Sequence, residues 1–281
     1  MKQKSADLLK LLSNNLERSA KKLVIQQKTI KDAEKKEQYK IYGDLLTANL
    51  YKINEGHKTI TLENYYSPDA QEVTIELLEN LSPSQNAQRY YKLYSKLKTA
   101  EIEVAKQIRS TLSDIEYLES TLLAVENSSS LEDLSAIRAE LENEGYIKKQ
   151  NTSKQDNKQK NEPLHFISSD GFDIYVGKNN TQNDFLTLKF ANSQDIWFHT
   201  KNIHGSHTII KLGINKDVPK STMLEAAQLA AFYSKARQSS KVPVDYTQIK
   251  NVKKPSGAKP GMVIYENYNT IYADPVDMEQ K

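Results

Sequence analysis

The chain has 281 residues and no cysteine, which excludes a disulfide framework and a thiolate metal site. No run of about 18 apolar residues occurs, so we predict no membrane-spanning helix. The net charge of +3 is divided unevenly: residues 54–147 carry eight Lys/Arg against 17 Asp/Glu, whereas residues 201–261 carry 11 against three. The basic segment is where a polyanion would bind. The N-terminus lacks the apolar core of a secretory signal, so we expect a cytoplasmic location.

The first 53 residues have a helical pattern. Leu9, Leu16, Leu23 and Ile30 recur every seven residues, as along a coiled-coil seam, with a weaker companion seam beside them. Comparable seams run through residues 90–125. The pattern therefore predicts two helices, each of about 40 residues or more, which pair antiparallel because the chain between them can reverse direction.

The reversal predicts a small β tip at about residues 57–78. Residues 58–62 and 72–76 alternate polar and apolar side chains, as strands do, and Asn64–Asp69 has turn chemistry. Pro83 then marks the start of the second long helix. A short closing helix follows and stops at Gly145, so the hairpin region occupies residues 1–147.

Residues 148–162 contain no apolar side chain and predict a flexible linker. Strand and helix signals alternate through residues 163–274, and residues 275–281 form a tail. The fold class is therefore α+β: a long antiparallel coiled-coil hairpin with a small β tip, linked to a compact α+β domain. The predicted elements of that domain are strands at 164–168, 172–176, 196–198, 207–212, 250–252, 262–265 and 270–273, and helices at 179–190 and 221–236.

The segment Asp195–His207 holds the only tryptophan and three of the five histidines. It continues into the basic segment, where residues 253–261 form a Gly/Pro-punctuated loop with three lysines whose backbone N–H groups suit phosphate oxygens. We expect this region to contact nucleic acid, with Trp197 packed in the core. The candidate contacts are His199, Lys201, His207, Lys211, Arg237, Lys241, Lys250, Lys253, Lys254 and Lys259, supported by Asp195, Trp197, Gly205 and Ser206.

Three other chemistries fit these residues less well. Asp195, His199, His204 and His207 could ligate zinc, but Asp195 and His199 share a strand face whereas His204 sits in a turn. A nucleophilic Ser206–His207 pair is disfavoured because adjacent strand residues point to opposite faces. The loop at 253–261 lacks the order of a P-loop. We therefore expect no catalytic residue, no metal and no cofactor.

The run Asp195–His207 resembles the signature of the RNA-binding domain in the NFACT family. The resemblance continues through residues 226–237, 241–246 and 252–261, and upstream through residues 42–49 and 86–90, so it covers nearly the whole chain. His204 stands where the family usually has proline. Family members begin with a large N-terminal domain and a helix-hairpin-helix segment, so we expect this chain to correspond to the C-terminal half of such a factor.

The resemblance implies a ribosome-associated role without enzymatic activity. NFACT factors bind large subunits that carry a stalled peptidyl-tRNA and recruit alanyl-tRNA for template-independent tailing of the nascent chain. The expected partners are rRNA and tRNA for the basic domain, and stalk-base proteins of the large subunit for the coiled-coil tip, with no membrane. The alternative is a fibronectin-binding adhesin or other protein-interaction module; an enzyme ranks third.

Overall fold

The computed structural model describes residues 1–148, 162–213 and 217–278. The chain divides into two compact units: Ala20–Leu112, and Met1–Ser19 together with Ser113–Lys281. Of the predicted linker, residues 149–161 lie outside the described residues, as do residues 279–281 of the predicted tail. Across the described ranges, no helix is apolar over enough of its length to cross a membrane.

The unit Ala20–Leu112 is a helical hairpin that carries a two-stranded antiparallel sheet, as predicted. The sheet buries Leu62 and Ile75 against Tyr90, whose hydroxyl donates to the carbonyl of Glu76 at 2.6 Å. The elements that contribute to the unit are α1 (Lys2–Ala33), α2 (Lys36–Ala48), a 3-10 turn (Leu50–Lys52), β1 (Thr59–Glu63), β2 (Glu72–Glu76) and α3 (Pro83–Glu126).

The prediction of a first helix of about 40 residues is wrong, because α1 ends at Ala33 and α2 starts a new helix. The amides of Glu34 and Lys35 bond three residues back, to the carbonyls of Lys31 and Asp32, which tightens the backbone and interrupts the α-helical ladder. The second helix does have the predicted length, 44 residues.

The buried line of α1 also differs from the predicted one. Leu16, Leu23 and Ile30 are only half-buried, whereas Gln26 and Ala33 of the weaker companion seam are buried. A polar residue can occupy this line because the Gln26 side chain meets Gln107 of α3, with Nε2 and Oε1 3.5 Å apart.

The second unit contains the N-terminal end of α1, the C-terminal part of α3, a short helix and the α+β domain. Leu8 and Leu12 of α1 pack with Tyr117 and Leu118 of α3 and with the apolar face of α4, including Ile137. The Ser130 hydroxyl caps α4 by accepting from the backbone amide of Asp133. The Asp133 carboxylate in turn accepts from the backbone amide of Ser130. The remaining elements are α4 (Leu131–Asn143), β3 (Leu164–Ile167), β4 (Asp173–Val176), α5 (Asn180–Phe185), a π-helical turn (Leu186–Phe190), β5 (Ile196–Thr200), β6 (Thr208–Ile210), α6 (Lys220–Phe232), β7 (Val242–Gln248), a 3-10 turn (Ile249–Asn251), β8 (Val252–Lys253), β9 (Ile264–Tyr265) and β10 (Asn269–Ala273).

Six of these strands form one antiparallel sheet in the order β10-β7-β5-β6-β4-β3, while β8 and β9 pair separately. Helix α6 covers one face of the sheet through Ala227, Leu229 and Ala230, which pack with Phe198 and Val244. The other face packs around Trp197, Ile209 and the residues of the π-helical turn. The predicted α+β class is thus confirmed, and both faces of the sheet carry a core.

Strand β7 is the one long strand that the sequence pattern did not predict. It lies between β5 and β10, with His199 opposite Asp245 and Tyr272 opposite Pro243. Pro243 and Asp245 interrupt the apolar pattern, and proline is depleted in interior strands. Pro243 has no amide hydrogen to donate, but its carbonyl accepts from the Lys201 amide at 2.9 Å.

Candidate nucleic-acid interface

Strand β5 sets the direction of the tryptophan and histidine side chains. Trp197 is fully buried, in agreement with the predicted packing role. The His199 ring lies parallel to Trp197 with the ring centroids 5.7 Å apart, and the His207 ring meets the same indole edge-on at 5.2 Å. Strand alternation and the β5–β6 pairing therefore place these three rings in one aromatic cluster.

Both histidines of this cluster are neutral near pH 7. Burial lowers the pKa of His199 to about 4 and that of His207 to about 3. His207 is only 2% exposed, and its Nδ1 lies 2.7 Å from the Thr187 hydroxyl. The structure thus places His207, a candidate RNA contact, inside the domain, where a neutral ring supports the sheet and offers no charge to phosphate.

Two predicted contact lysines are held by carboxylates within the α+β domain. The ammonium of Lys211 lies 2.7 Å from the buried carboxylate of Asp195, which also accepts from the Leu212 amide at 2.8 Å. Lys254 forms an ion pair with Asp184, whose carboxylate also accepts from the amide of Gly261 at 3.0 Å. Asp195, predicted as a supporting residue, is buried and holds the Lys211 ammonium and the Leu212 amide.

Lys259 joins the basic loop to the acidic helices. Its ammonium lies 3.1 Å from Glu144 and 3.5 Å from Asp114, above the rings of Tyr117 and Tyr146. Part of the segregation of charge along the sequence is therefore an internal pairing of the acidic segment with the basic one. This lysine has a structural partner for its charge in the absence of RNA.

Replacing Lys259 by methionine should lower the free energy of unfolding by about 1–3 kcal/mol, because two carboxylates would then share a partly buried site without a cation. Urea titration of the purified chain measures this. Lys253→Met is the matched control: the Lys253–Glu266 pair is exposed on both sides, so its loss should cost less than about 0.5 kcal/mol. Equal losses in the two variants would contradict the structural role of Lys259.

Five of the other predicted contacts, all of them cationic, remain accessible, whereas His199 is half-buried. Arg237, Lys241, Lys250 and Lys253 are exposed, and the Lys201 side chain is 37% exposed. The guanidinium of Arg237 stacks over the Phe232 ring at 3.8 Å, which fixes its orientation. These five residues are called the exposed cations below.

The predicted turn at 203–206 is fixed against the end of α6. Ser206 donates its amide to the carbonyl of Tyr233 at 3.1 Å, and Gly205 bridges to Ser234. A Cβ at Gly205 would lie 2.7 Å from the Thr200 hydroxyl oxygen, so only glycine allows this approach. Gly205 and Ser206, predicted as supporting residues, thus lie in a turn that contacts the residues at the end of α6. His204, the departure from the family pattern, lies 2.8 Å from Glu119 through Nε2.

A polar cavity of about 250 Å³ opens beside this turn. Its lining includes Ser128, Asn183, Ser206 and Arg237, so it could accept a polar ligand. Among residues 1–148, 162–213 and 217–278, no group of three or more His, Cys, Asp or Glu side chains is arranged to hold a metal ion. Asp195 and His204 are instead each engaged by the partners named above.

The sequence pattern missed two exposed aromatic residues beside the cations. Tyr268 is 44% exposed and Tyr272 is 69% exposed. The ammonium of Lys201 lies 5.0 Å from the centroid of the Tyr268 ring. The alternation of β10 carried the signal for Tyr272, because Ile271 and Ala273 point into the core and Tyr272 must then point away from it.

Comparison with known proteins agrees with this architecture. The family model for the NFACT N-terminal and middle domains matches residues 1–160, and that for the NFACT protein RNA binding domain matches residues 162–267. The solved C-terminal part of the fibronectin/fibrinogen-binding protein from Streptococcus suis is 36% identical, with a TM-score of 0.76 over 98% of this chain and 95% of that one.

The curated relatives include Rqc2 homologs and a protein named as a subunit of the ribosome quality control complex. The Rqc2 homolog RqcH of Bacillus subtilis is 41% identical over 98% of this chain and 48% of its own length. The ribosome quality control complex subunit NEMF homolog of Drosophila melanogaster is 30% identical over 29% of this chain and 8% of its own length. The chain spans about half the length of the RqcH relatives it matches. Because the two NFACT models together account for residues 1–160 and 162–267, the chain belongs to the NFACT family.

Proposed function

We propose that this chain is the RNA-binding part of a ribosome-associated quality-control factor. In this proposal it binds large ribosomal subunits and tRNA, and it contributes binding rather than catalysis. The observation that carries the proposal is the set of exposed cations on a domain that matches the RNA binding domain of the NFACT family. The relatives named for ribosome quality control support the cellular process.

We further propose specific partners and a cellular location for this chain. Alanyl-tRNA is the proposed tRNA, and a cytoplasmic location follows from a role on ribosomes. The proposed contact with the stalk base is made by the tip of the Ala20–Leu112 unit. That tip displays Tyr65 and Tyr66, which are 55% and 53% exposed and whose ring centroids lie 4.7 Å apart.

Binding of labelled tRNA should weaken steeply with salt, because lysine and arginine release condensed counterions from the phosphates they neutralise. Replacing Arg237, Lys241 and Lys250 together by glutamine should weaken binding at low salt by about tenfold or more. It should also reduce the slope of log K against log salt by about 2–3, at about 0.9 per phosphate contact. Fluorescence anisotropy at several salt concentrations measures both quantities.

The matched control replaces three exposed lysines of α1, Lys22, Lys28 and Lys31, by glutamine. This control removes the same charge from the other unit, outside the segment that matches the RNA binding domain, and should change tRNA affinity by less than about twofold. If both triple variants weaken binding equally, the affinity depends on the net charge of the chain and not on the position of the exposed cations. Salt-independent binding would refute the phosphate-contact proposal.

The second candidate function is binding of fibronectin, which is favoured by the similarity to the fibronectin/fibrinogen-binding protein of Streptococcus suis. Co-sedimentation with purified large subunits and binding to immobilised fibronectin, measured on the same preparation at the same salt, compare the two candidates. Retention on fibronectin without co-sedimentation would favour the second candidate.

A further inference from the structure

The pairing of three strands brings a lysine, a proline and a tyrosine into one row at the end of the sheet. Lys201 donates its amide to the carbonyl of Pro243 at 2.9 Å, and Pro243 lies opposite Tyr272 in the β7–β10 register. Neighbouring strands are separated by about 4.8 Å. The three residues are therefore adjacent across the sheet.

All three residues face away from α6. Ile271 and Ala273 of β10 pack in the core beneath α6, so the Tyr272 side chain between them projects from the opposite face. The Lys201 ammonium lies 3.7 Å from Asp245, on the face where the His199–Asp245 pair is found. Lys201, Pro243, Tyr268 and Tyr272 together are called the aromatic platform below.

A fixed turn holds Tyr268 beside this row. Asn267 has a φ of 52°, a left-handed conformation that asparagine tolerates, and the Thr247 hydroxyl lies 3.0 Å from its carbonyl. The Tyr268 ring also meets Tyr265 edge-on at 5.2 Å. Tyr265 in turn donates its hydroxyl to Asp245 at 2.9 Å, so the platform rests on a bonded network.

Positive charge borders the platform. Lys201 lies over Tyr268, and Lys241, the exposed residue before β7, is held with φ 50° by a bond from its amide to Asp274 at 2.7 Å. Exposed rings in a fixed position beside ammonium groups combine the two interactions that hold single-stranded nucleic acid: stacking on bases and attraction to phosphates.

We propose that the aromatic platform binds unpaired RNA nucleotides by stacking their bases on Tyr268 and Tyr272. The proposal rests on the RNA-binding function above and names the site and the form of RNA it selects. A base in a duplex already stacks on its neighbours and cannot reach these rings without being unpaired. Lys201 and Lys241 contact the phosphates on either side of the stacked nucleotides.

The test compares two double variants with the unchanged chain. Tyr268→Leu with Tyr272→Leu keeps apolar side chains but removes the π faces, whereas the corresponding double Phe variant keeps the rings and removes only the hydroxyls. The probes are a fluorescein-labelled 12-nucleotide single-stranded RNA of mixed sequence and the blunt duplex of the same sequence. The readouts are anisotropy at low salt and the melting temperature of each protein.

The Leu variant should bind the single strand at least tenfold more weakly and the duplex within twofold of the unchanged chain, and the Phe variant should match the unchanged chain on both probes. Unaltered single-strand affinity in the Leu variant overturns the platform while leaving the proposed function intact. A chain that binds neither RNA overturns the proposed function and the platform with it. If the Leu variant unfolds, photocross-linking of 5-bromouridine RNA to the unchanged chain decides: adducts on Tyr268 or Tyr272 support the platform, and adducts confined to other residues overturn it.

Discussion

Replacing Glu140 by alanine is expected to lower the free energy of unfolding by about 3–5 kcal/mol, because its buried carboxylate accepts four hydrogen bonds from two other helices. The side chain is 4% exposed and joins α4 to α3 and to the start of α5. Its donors are the Tyr117 hydroxyl at 3.0 Å, Asn180 Nδ2 at 3.2 Å, and the amide and hydroxyl of Thr181 at 2.9 and 2.8 Å.

The size of the effect follows from what alanine leaves behind. A buried donor that loses its acceptor costs about 1–3 kcal/mol, as the fully buried Tyr117 hydroxyl would, and the Thr181 amide and hydroxyl lose the same acceptor. Asn180 Nδ2 keeps Thr121 Oγ1 at 3.0 Å as a second acceptor. Burial raises the pKa of Glu140 above its usual value, while the four hydrogen bonds oppose that shift. Chemical denaturation at neutral pH, followed by far-ultraviolet circular dichroism, measures the loss.

Glu142→Ala is the matched control for Glu140. Glu142 lies on the same helix and pairs with Arg138 at 3.2 Å across one turn near the surface, so its loss should cost less than about 0.5 kcal/mol. Glu140→Gln should fall between the two, because one amide oxygen can still accept while the NH₂ group meets other donors. A Glu140→Ala variant as stable as Glu142→Ala would contradict the network.

Acid should destabilise this chain partly through His207. Its folded-state pKa is about 3, below the ordinary 6.5, so the unfolded chain takes up the proton first as the pH falls. The stability that neutral His207 contributes is therefore present above about pH 6.5 and is lost progressively toward about pH 3. At 1.36 kcal/mol per pKa unit, the loss between pH 7 and pH 5 is about 2 kcal/mol.

His207→Phe isolates this contribution from the other titrating groups. Phenylalanine keeps an aromatic ring against Trp197 but cannot bind a proton. Between pH 7 and pH 5 the free energy of unfolding of the unchanged chain should therefore fall by about 2 kcal/mol relative to that of the variant. A pH-independent difference between the unchanged chain and His207→Phe would mean that the buried ring is protonated as readily as in the unfolded chain.

Local pattern predicted most elements because periodicity and turn chemistry are properties of short segments. The β tip, the hairpin of β3 and β4, helix α6 and the α+β class follow from alternation, from turn residues such as Gly171, and from helical spacing. Strand β7 was not predicted, because Pro243 and Asp245 interrupt the apolar pattern of its residues. Their roles are visible only once β5 and β10 lie on either side: Pro243 accepts from Lys201, and Asp245 accepts from Tyr265 and Thr270.

The amino-acid pattern specifies a helical hairpin with a β tip, an α+β domain, and a basic segment that begins at a histidine-rich strand and turn. Those features depend on residues close together in the chain, and the family resemblance depends on their order. The partners of Lys254 and Lys259 depend on Asp184, Asp114 and Glu144, which lie 70 or more residues away in sequence. The tertiary structure was needed to show which cations are engaged internally, that His207 is neutral and buried, and that Tyr268 is exposed beside Lys201. The physical reason is that the charge or aromatic character of a side chain is set by the residue itself, whereas its burial and its ion-pair partners are set by residues distant in the sequence that folding brings close.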